Sequence, residues 1–248
     1  MLYSHINKIM EPRTKYKLPT HGELKHINID IGKLQAATDV LAAEYVDVKT
    51  ANKALCDNHM ALSKSVYDNF KQINLSELNG EELPYTDDIK VRLRRNEEKL
   101  YNKPNDKFIG SYFEEIANQF KCDKMRIRIT KLDGNTDVPM HIDYDPTYAT
   151  RVVIPVYTNE KVINRFKVKG EIVETHLEAG KAYFFNTGFA HGVFNESEEP
   201  RIAFMFSLDG QDDIENIELC QEMYPSHFGY FHSGHRLLHA TFKKYTTQ

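Results

Sequence analysis

Residues 180–209 read GKAYFFNTGFAHGVFNESEEPRIAFMFSLD. Three short runs within this stretch, KAYFFN, HGVFN and PRIAFMFSL, are rich in β-branched and aromatic residues. The segments NTG and NESEEP between them are typical turn sequences. Short apolar runs that alternate with turns, without a helical pattern between them, predict the antiparallel strands of a barrel or a sandwich.

The same pattern extends upstream to residue 125, through the runs MRIRITKL, TRVVIPVYT and INRFKVKGEIVETHL. Residues 1–105 differ, because they are polar and their apolar residues recur at helical spacings of three and four. We therefore predict a mainly β core with flanking helices (α+β). Residues 1–105 form a mainly helical region packed on the core, 106–210 the core, and 211–248 a helical or loop extension, all in one compact unit.

Composition and charge exclude several classes of protein. The 248 residues carry a formal net charge of −4, which provides no long-range field for gathering nucleic acid. The run KVRLRRNEEKL at 90–100 reads as a solvated surface. No apolar run approaches 18 residues and the N-terminus has no signal-peptide core. Three widely spaced cysteines indicate reduced thiols, so we expect a soluble cytoplasmic protein with no nucleic-acid or membrane partner.

Three residues are candidate metal ligands. His141 and Asp143 stand two apart in an extended segment, where side chains alternate, so both point to one face. His191 follows the turn at 186–188 and begins a short strand. Two histidines and one carboxylate form the facial triad of non-haem Fe(II) enzymes. Zinc is an alternative metal, and a pair of hydrogen-bonding residues without a metal is the simplest reading of the HxD spacing alone.

Arg201 opens the run RIAFMFSL and shares one face of that strand with Ala203, Met205 and Ser207. The opposite face, which is apolar, is suited to packing against helices. An arginine that projects into a barrel needs an anionic partner, and its planar fork fits a carboxylate. The alternative is a surface ion pair with Glu198 or Glu199.

Arg151 alternates with Val153, Pro155 and Tyr157, so it shares their face, and we expect that face to line the cavity. An outward surface arginine is the alternative. Arg128 and Thr130 have the same parity in the preceding run, and we expect both to face the cavity as cofactor-binding candidates with open roles.

The motifs RITKLDGNTDVPMHID (128–143), RVVIPVYTN (151–159) and residues 180–209 resemble the Fe(II)- and 2-oxoglutarate-dependent oxygenases. The closest branch is the aspartyl/asparaginyl β-hydroxylase-like group, which includes free-proline hydroxylases. The resemblance covers about residues 125–209, and residues 1–100 match nothing in it. It implies a double-stranded β-helix, an eight-stranded cupin-like jelly roll that holds the metal at its mouth.

The resemblance also implies roles for the candidate residues. His141, Asp143 and His191 correspond to iron ligands, and Arg201 to the residue that holds the distal carboxylate of 2-oxoglutarate. Arg151 corresponds to a position near the cosubstrate or a substrate carboxylate. Fe(II), 2-oxoglutarate and O2 would then hydroxylate a substrate with release of succinate and CO2.

The substrate stays open between two classes at this point. Some β-hydroxylases of the branch lack the carboxylate ligand, whereas Asp143 is present here, as on the proline-hydroxylase side. A helical N-terminal region over the mouth would also close the groove that a polypeptide needs. We therefore favour a free amino acid over an aspartyl or asparaginyl residue of a polypeptide. A cupin-type protein that binds metal without 2-oxoglutarate is the rival, and it has no need of Arg201.

Overall fold

The computed structural model describes residues 12–51, 69–79 and 97–217. Most of these residues form short strands: β1 (His21–Glu23), β2 (Val46–Asp47), β3 (Phe70–Asn74), β4 (Ser76–Glu77), β5 (Lys103–Pro104), β6 (Lys124–Leu132), β7 (Thr136–His141), β8 (Thr150–Tyr157), β9 (Val162–Val168), β10 (Glu171–Thr175), β11 (Tyr183–Phe185), β12 (Ala190–Asn195) and β13 (Arg201–Leu208). The described helices are α1 (Ile31–Val40), α2 (Val48–Ala51), α3 (Glu97–Leu100) and α4 (Tyr112–Ala117). Single 3-10 turns lie at Lys15–Lys17, Ala42–Glu44 and Asp212–Ile214.

The strands form two main sheets. The larger has the order β1-β11-β8-β13-β6-β3-β2 and the smaller β10-β9-β12-β7, while β4 and β5 pair separately. All pairs among the described strands are antiparallel. Apolar residues from both sheets share one buried cluster, with Val153, Phe185 and Ala203 from the larger sheet and Phe166 and Val168 from the smaller. The predicted double-stranded β-helix is confirmed.

The outer face of the larger sheet carries the helices. Phe204 and Phe206 of β13 lie on the face opposite Arg201, as the alternation predicts, in a cluster with residues of α1 and α4. The Phe204 ring centroid lies 5.0 Å from that of Phe113 in α4. Ser111 caps this helix, because its hydroxyl accepts from the backbone N–H of Glu114. This packing leaves the other face of β13 to the barrel interior.

The described part of the N-terminal region is less helical than its sequence predicts. Strands β1, β2 and β3 extend the larger sheet at its two edges, and only α1 reaches ten residues. The run FKQIN at 70–74 is too short to display either periodicity, and it becomes a strand because β6 offers a free edge to pair with. The three-part division stays a prediction, and residues 218–248 of the proposed extension lie outside the described ranges.

No helix within residues 12–51, 69–79 and 97–217 combines the length and the apolar character needed to cross a bilayer.

Candidate active site

The two histidines of the candidate triad come together through strand register. His141 ends β7 and His191 is the second residue of β12, and the two are direct partners across this antiparallel pair. Side chains at directly paired positions point to the same face of the sheet. The imidazole centroids consequently lie 4.4 Å apart.

Both imidazoles are oriented by the backbone. The Nδ1 atom of His141 lies 2.8 Å from the carbonyl oxygen of Pro139, and Nδ1 of His191 lies 2.9 Å from that of Phe189. A neutral imidazole that donates its Nδ1–H to a carbonyl keeps the Nε2 lone pair available. Such a bond fixes tautomer and ring direction in histidine ligands, so both Nε2 atoms are prepared to bind a metal.

Asp143 supplies the third ligand atom from the loop after β7. Its backbone N–H donates to the carbonyl oxygen of Thr187 at 3.1 Å, and the Thr187 hydroxyl donates to the carbonyl of Tyr144 at 2.9 Å. The turn before β12 thereby holds the loop. Oδ1 of Asp143 lies 3.6 Å from Nε2 of His141, and Oδ2 lies 3.9 Å from Nε2 of His191.

The electrostatics of His191 and Asp143 favour their metal-binding forms. Burial lowers the pKa of His191 to about 4, which keeps the imidazole neutral. Burial alone would raise the pKa of Asp143, but its interactions with the two imidazoles and with the Arg151 guanidinium outweigh it and lower that pKa. A neutral imidazole and an ionised carboxylate are the forms that bind metal ions.

These three residues fit a single metal ion. Their potential ligand atoms all lie within 4.8 Å of one another. The Asp143 oxygens lie 3.6 and 3.9 Å from the two Nε2 atoms, separations that one ion with ligands at about 2.0–2.2 Å can bridge. The set of two histidines and one carboxylate suits non-haem Fe(II), for which the other coordination positions stay open. Zinc is compatible with the same atoms, as the sequence indicates.

Arg201 lies buried at the start of β13, with 6% of its surface exposed. Its Nη1 donates to the hydroxyl of Thr130 at 3.2 Å. Among the described residues, no carboxylate pairs with it, and neither Glu198 nor Glu199 does so. Burial lowers its pKa to about 10. A buried guanidinium with one hydrogen bond is suited to receive a carboxylate.

Arg151 in β8 faces inward and is buried. Its Nε donates to the hydroxyl of Ser207 at 3.1 Å, and its Nη2 donates to Glu98 at 2.9 Å. The same Nη2 lies 3.6 Å from Oδ2 of Asp143. Arg151 is therefore adjacent to Asp143 of the candidate triad, and the alternative of an outward surface arginine is wrong.

Arg128 and Thr130 in β6 also face inward, as their parity predicts. They are partners of Met205 and Ala203 across the β6–β13 pair, which puts them on the face of Arg201. Both are buried. Thr130 contacts Arg201, whereas Arg128 donates to the carbonyl oxygen of Arg126 at 2.9 Å. Their role in cofactor binding stays a prediction.

Glu98 is a buried residue of this site that the sequence interpretation missed. It lies in the run at 90–100, which reads as a solvated surface, yet its side chain is 0% exposed. Its carboxylate accepts from Arg126, Arg151 and Ser207, and from the hydroxyl of Tyr144 at 3.2 Å. Burial would raise the pKa of Glu98, but the charges of Arg126, Arg151 and Arg128 lower it well below its usual range.

The number of arginines on the inward strand faces is the sequence signal for a buried carboxylate such as Glu98. Arg128 and Arg151 both face inward, and Arg126 has the same parity as Arg128. Buried charges require partners, so a carboxylate from outside these strands is expected. The sequence does not say which one, because α3 reaches the site only through the tertiary fold.

Asp145, two residues after Asp143, is occupied within its own loop. Its Oδ1 accepts from the backbone N–H and the hydroxyl of Thr147, at 3.1 and 3.0 Å. Its Oδ2 accepts from the backbone N–H of Lys15 at 3.2 Å. These bonds build the turn after the metal ligand, so Asp145 acts on the shape of the loop.

Residues 102–209 match the sequence profile of the aspartyl/asparaginyl beta-hydroxylase family. This range contains the strands β6 to β13, the three candidate ligands and the inward arginines. The match confirms the resemblance that the motifs carry, and with it the enzyme class, a 2-oxoglutarate-dependent oxygenase. No curated protein matches the chain.

Several solved structures are similar in part. A 2OG-Fe(II) oxygenase family oxidoreductase from Burkholderia pseudomallei is 13% identical, over 71% of this chain and 89% of that one, with a TM-score of 0.36. A DMSP lyase from Ruegeria pomeroyi is 13% identical, over 60% of this chain and 52% of that one, with a TM-score of 0.33. A cupin domain from Bordetella pertussis is 17% identical, over 36% and 86%, with a TM-score of 0.29.

Proposed function

We propose that this chain, an oxygenase similar over residues 102–209 to the aspartyl/asparaginyl beta-hydroxylase family, uses Fe(II), 2-oxoglutarate and O2 to hydroxylate a free amino acid. One observation carries the proposal. Two imidazole Nε2 atoms and the Asp143 carboxylate converge within 4.8 Å, in a barrel that also buries Arg201 without an anionic partner among the described residues.

In this proposal His141, Asp143 and His191 hold the iron. When bound, iron and 2-oxoglutarate supply the oxidising chemistry, with succinate and CO2 as co-products. The carbonyl oxygens of Pro139 and Phe189 keep the imidazoles directed at the metal. The protein has no need of a general base, because its contribution is position and the exclusion of water.

Arg201 holds the distal carboxylate of 2-oxoglutarate in this proposal. Its guanidinium is buried and has Thr130 as its hydrogen-bond partner among the described residues, so a carboxylate would satisfy a charge that is otherwise desolvated. A cupin that binds only a metal would bury this charge without compensation. Arg201 therefore favours the oxygenase over the metal-binding cupin.

Arg151 anchors a carboxylate of the substrate. It lies beside Asp143, and its Nη1 makes no hydrogen bond to any of the described residues. A contact from Nη1 to a substrate carboxylate would set the distance between the metal and the reacting carbon. This geometry supports a substrate with a carboxylate near the oxidised carbon.

The structure offers fewer reasons to favour a free amino acid over a polypeptide than the sequence does. The described N-terminal strands extend the edges of the larger sheet, and the side chains of His141 and Asp143 stay 35% and 29% exposed. The steric reason for excluding a polypeptide is thus weakened. The complete triad supports the free amino acid, while the family description supports the aspartyl/asparaginyl alternative.

The low cysteine count supports a cytoplasmic location.

The test measures succinate release by the Fe(II)-loaded protein over free amino acids, proline included, and over peptides that contain Asp or Asn. Turnover with a free amino acid supports the proposal, and turnover with peptides alone selects the alternative. An anaerobic absorption band on addition of 2-oxoglutarate to the Fe(II) protein reports cosubstrate binding without turnover. Iron binding without this band and without succinate release would favour the cupin.

A further inference from the structure

Three guanidinium groups meet at the carboxylate of Glu98. Arg126 and Arg151 each donate a hydrogen bond to it, and Nη1 of Arg128 lies 3.8 Å from its Oε1. The side chains of Arg128 and Arg151 are each 6% exposed and that of Glu98 is 0% exposed. One buried anion is thus the partner of three cations. Its removal would leave each arginine without this carboxylate and would favour its pairing with another acceptor.

The second carboxylate near Arg151 is that of Asp143, a ligand in the proposed metal site. Nη2 of Arg151 is bonded to Oε1 of Glu98 at 2.9 Å and lies 3.6 Å from Oδ2 of Asp143. Only a small movement of the guanidinium would turn this second distance into a charge-assisted hydrogen bond. Nη2 carries two N–H bonds, so it can also pair with Asp143, and in this structure the closer contact is the one to Glu98. The two carboxylates therefore compete for the position of one guanidinium group.

Ser207 strengthens the hold of Glu98 on Arg151. Its hydroxyl donates to Oε1 of Glu98 at 2.7 Å and accepts from Nε of Arg151 at 3.1 Å. Glu98, Ser207 and Arg151 thereby form a closed ring of hydrogen bonds along one edge of the guanidinium. This ring fixes the direction of the side chain, with Nη1 left outside it.

We propose that Glu98 is a positioning residue that keeps Arg151 off Asp143, so that the carboxylate of Asp143 stays free for the metal and Nη1 of Arg151 stays free for the substrate. This inference rests on the metal site of the proposed function, although it holds for any substrate. It assigns a role to a helix that precedes the oxygenase core, in a region that the resemblance leaves unmatched.

The test is a double-mutant cycle read out by metal affinity. Anaerobic Co(II) binding is measured by calorimetry for the wild type, Glu98→Gln, Arg151→Gln and the double variant. In Glu98→Gln we expect Arg151 to pair with Asp143 and to weaken Co(II) binding about tenfold, the value of one charge-assisted hydrogen bond. In the double variant the affinity should return to within about threefold of the wild type, because the guanidinium that would pair with Asp143 is gone.

A matched control comes from the surface of the smaller sheet. Glu174 accepts from Arg165 across the β9–β10 pair, with 53% of its side chain exposed. Glu174→Gln removes a carboxylate from an arginine in the same way, and it should leave Co(II) affinity unchanged. A merely structural Glu98 would weaken Co(II) binding equally with and without Arg151, and that result would overturn the proposal, as would an unchanged affinity in Glu98→Gln.

Two further comparisons separate the possible failures. If Glu98→Gln does not fold by circular dichroism, Glu98→Asp replaces it in the cycle, since it keeps the charge and withdraws the carboxylate by one methylene. We expect the same loss and the same recovery with Arg151→Gln. If the wild type and a His191→Ala variant bind Co(II) equally, the metal site of the proposed function is wrong. If His191→Ala loses Co(II) binding while Glu98→Asp or Glu98→Gln binds Co(II) as tightly as the wild type, the positioning role alone is wrong.

Discussion

The two sheets of the barrel contribute different parts of the site. The smaller sheet holds the two histidines of the candidate triad on the adjacent strands β7 and β12. The larger sheet holds the cations on β6, β8 and β13. Asp143, in the loop that follows β7, completes the candidate ligand set. The cations instead depend on Glu98, from a helix that lies earlier in the chain. Spacing along the chain thus relates His141 to Asp143, strand pairing adds His191, and contacts with a more distant helix decide the charge balance.

The largest expected effect concerns the smaller sheet. His141→Ala or His191→Ala should abolish Fe(II) binding and succinate release, because each removes one of the three proposed protein ligands. Calorimetry with Fe(II) under anaerobic conditions measures the binding. His176→Ala is the matched control, since the Nδ1 atom of His176 also lies near a backbone carbonyl, that of Val162. Iron binding by the His141/His191 double variant equal to that of the wild type would contradict the assignment.

Arg201→Ala tests the larger sheet. Removal of one partner of a buried charge pair costs about 2–5 kcal/mol, so we expect 2-oxoglutarate to bind about thirtyfold more weakly or worse. Fe(II) affinity should stay close to that of the wild type, because Arg201 contacts no metal ligand among the described residues. The anaerobic absorption band, titrated with 2-oxoglutarate, gives the cosubstrate affinity, and anaerobic calorimetry gives the Fe(II) affinity.

A companion variant separates binding from stability. Arg201→Met removes a buried cation whose hydrogen-bond partner is Thr130 and keeps much of the volume, and burial of an uncompensated charge is unfavourable. We expect a higher Tm than the wild type without 2-oxoglutarate, and no rise in Tm when 2-oxoglutarate is added. A variant that 2-oxoglutarate still stabilises as it does the wild type would exclude the cosubstrate role.

The free energy of unfolding of the metal-free protein should decrease as the pH is lowered, because of His191. Its folded pKa is about 4 and its unfolded pKa is about 6.5. The unfolded chain therefore binds the proton first as the pH falls, and stability decreases between these two values. From pH 7 to pH 5 we expect a loss of about 2 kcal/mol from this residue. Urea unfolding of the wild type and His191→Asn checks it, and an equal loss in both would show that other groups are responsible.

The sequence predicts the strand faces and the candidate triad, but it does not predict the position of Glu98 or of strand β3, and this difference has a physical reason. Alternation along RIAFMFSL places Arg201 and Phe204 on opposite faces correctly, since a strand has only two faces. The HxD spacing and His191 predict the triad, because strand pairing brings such residues together. Glu98 and strand β3 could not be predicted, because their environment is set by partners distant in sequence. Short polar segments carry no periodicity strong enough to report burial.

The smallest expected effect is on substrate affinity, and it depends on both regions at once. Arg151→Ala removes one charge-assisted contact to a substrate carboxylate, so we expect the KM of the substrate to rise about tenfold. The value of kcat should change less, because the metal ligands and Arg201 stay in place. Fe(II) affinity should be unchanged, since Arg151 in the wild type bonds to Glu98 and Ser207. Steady-state succinate release against substrate concentration separates KM from kcat. A fall in kcat at unchanged KM would mean that Arg151 acts on the metal side of the site, and the division of roles between the two sheets would then be wrong.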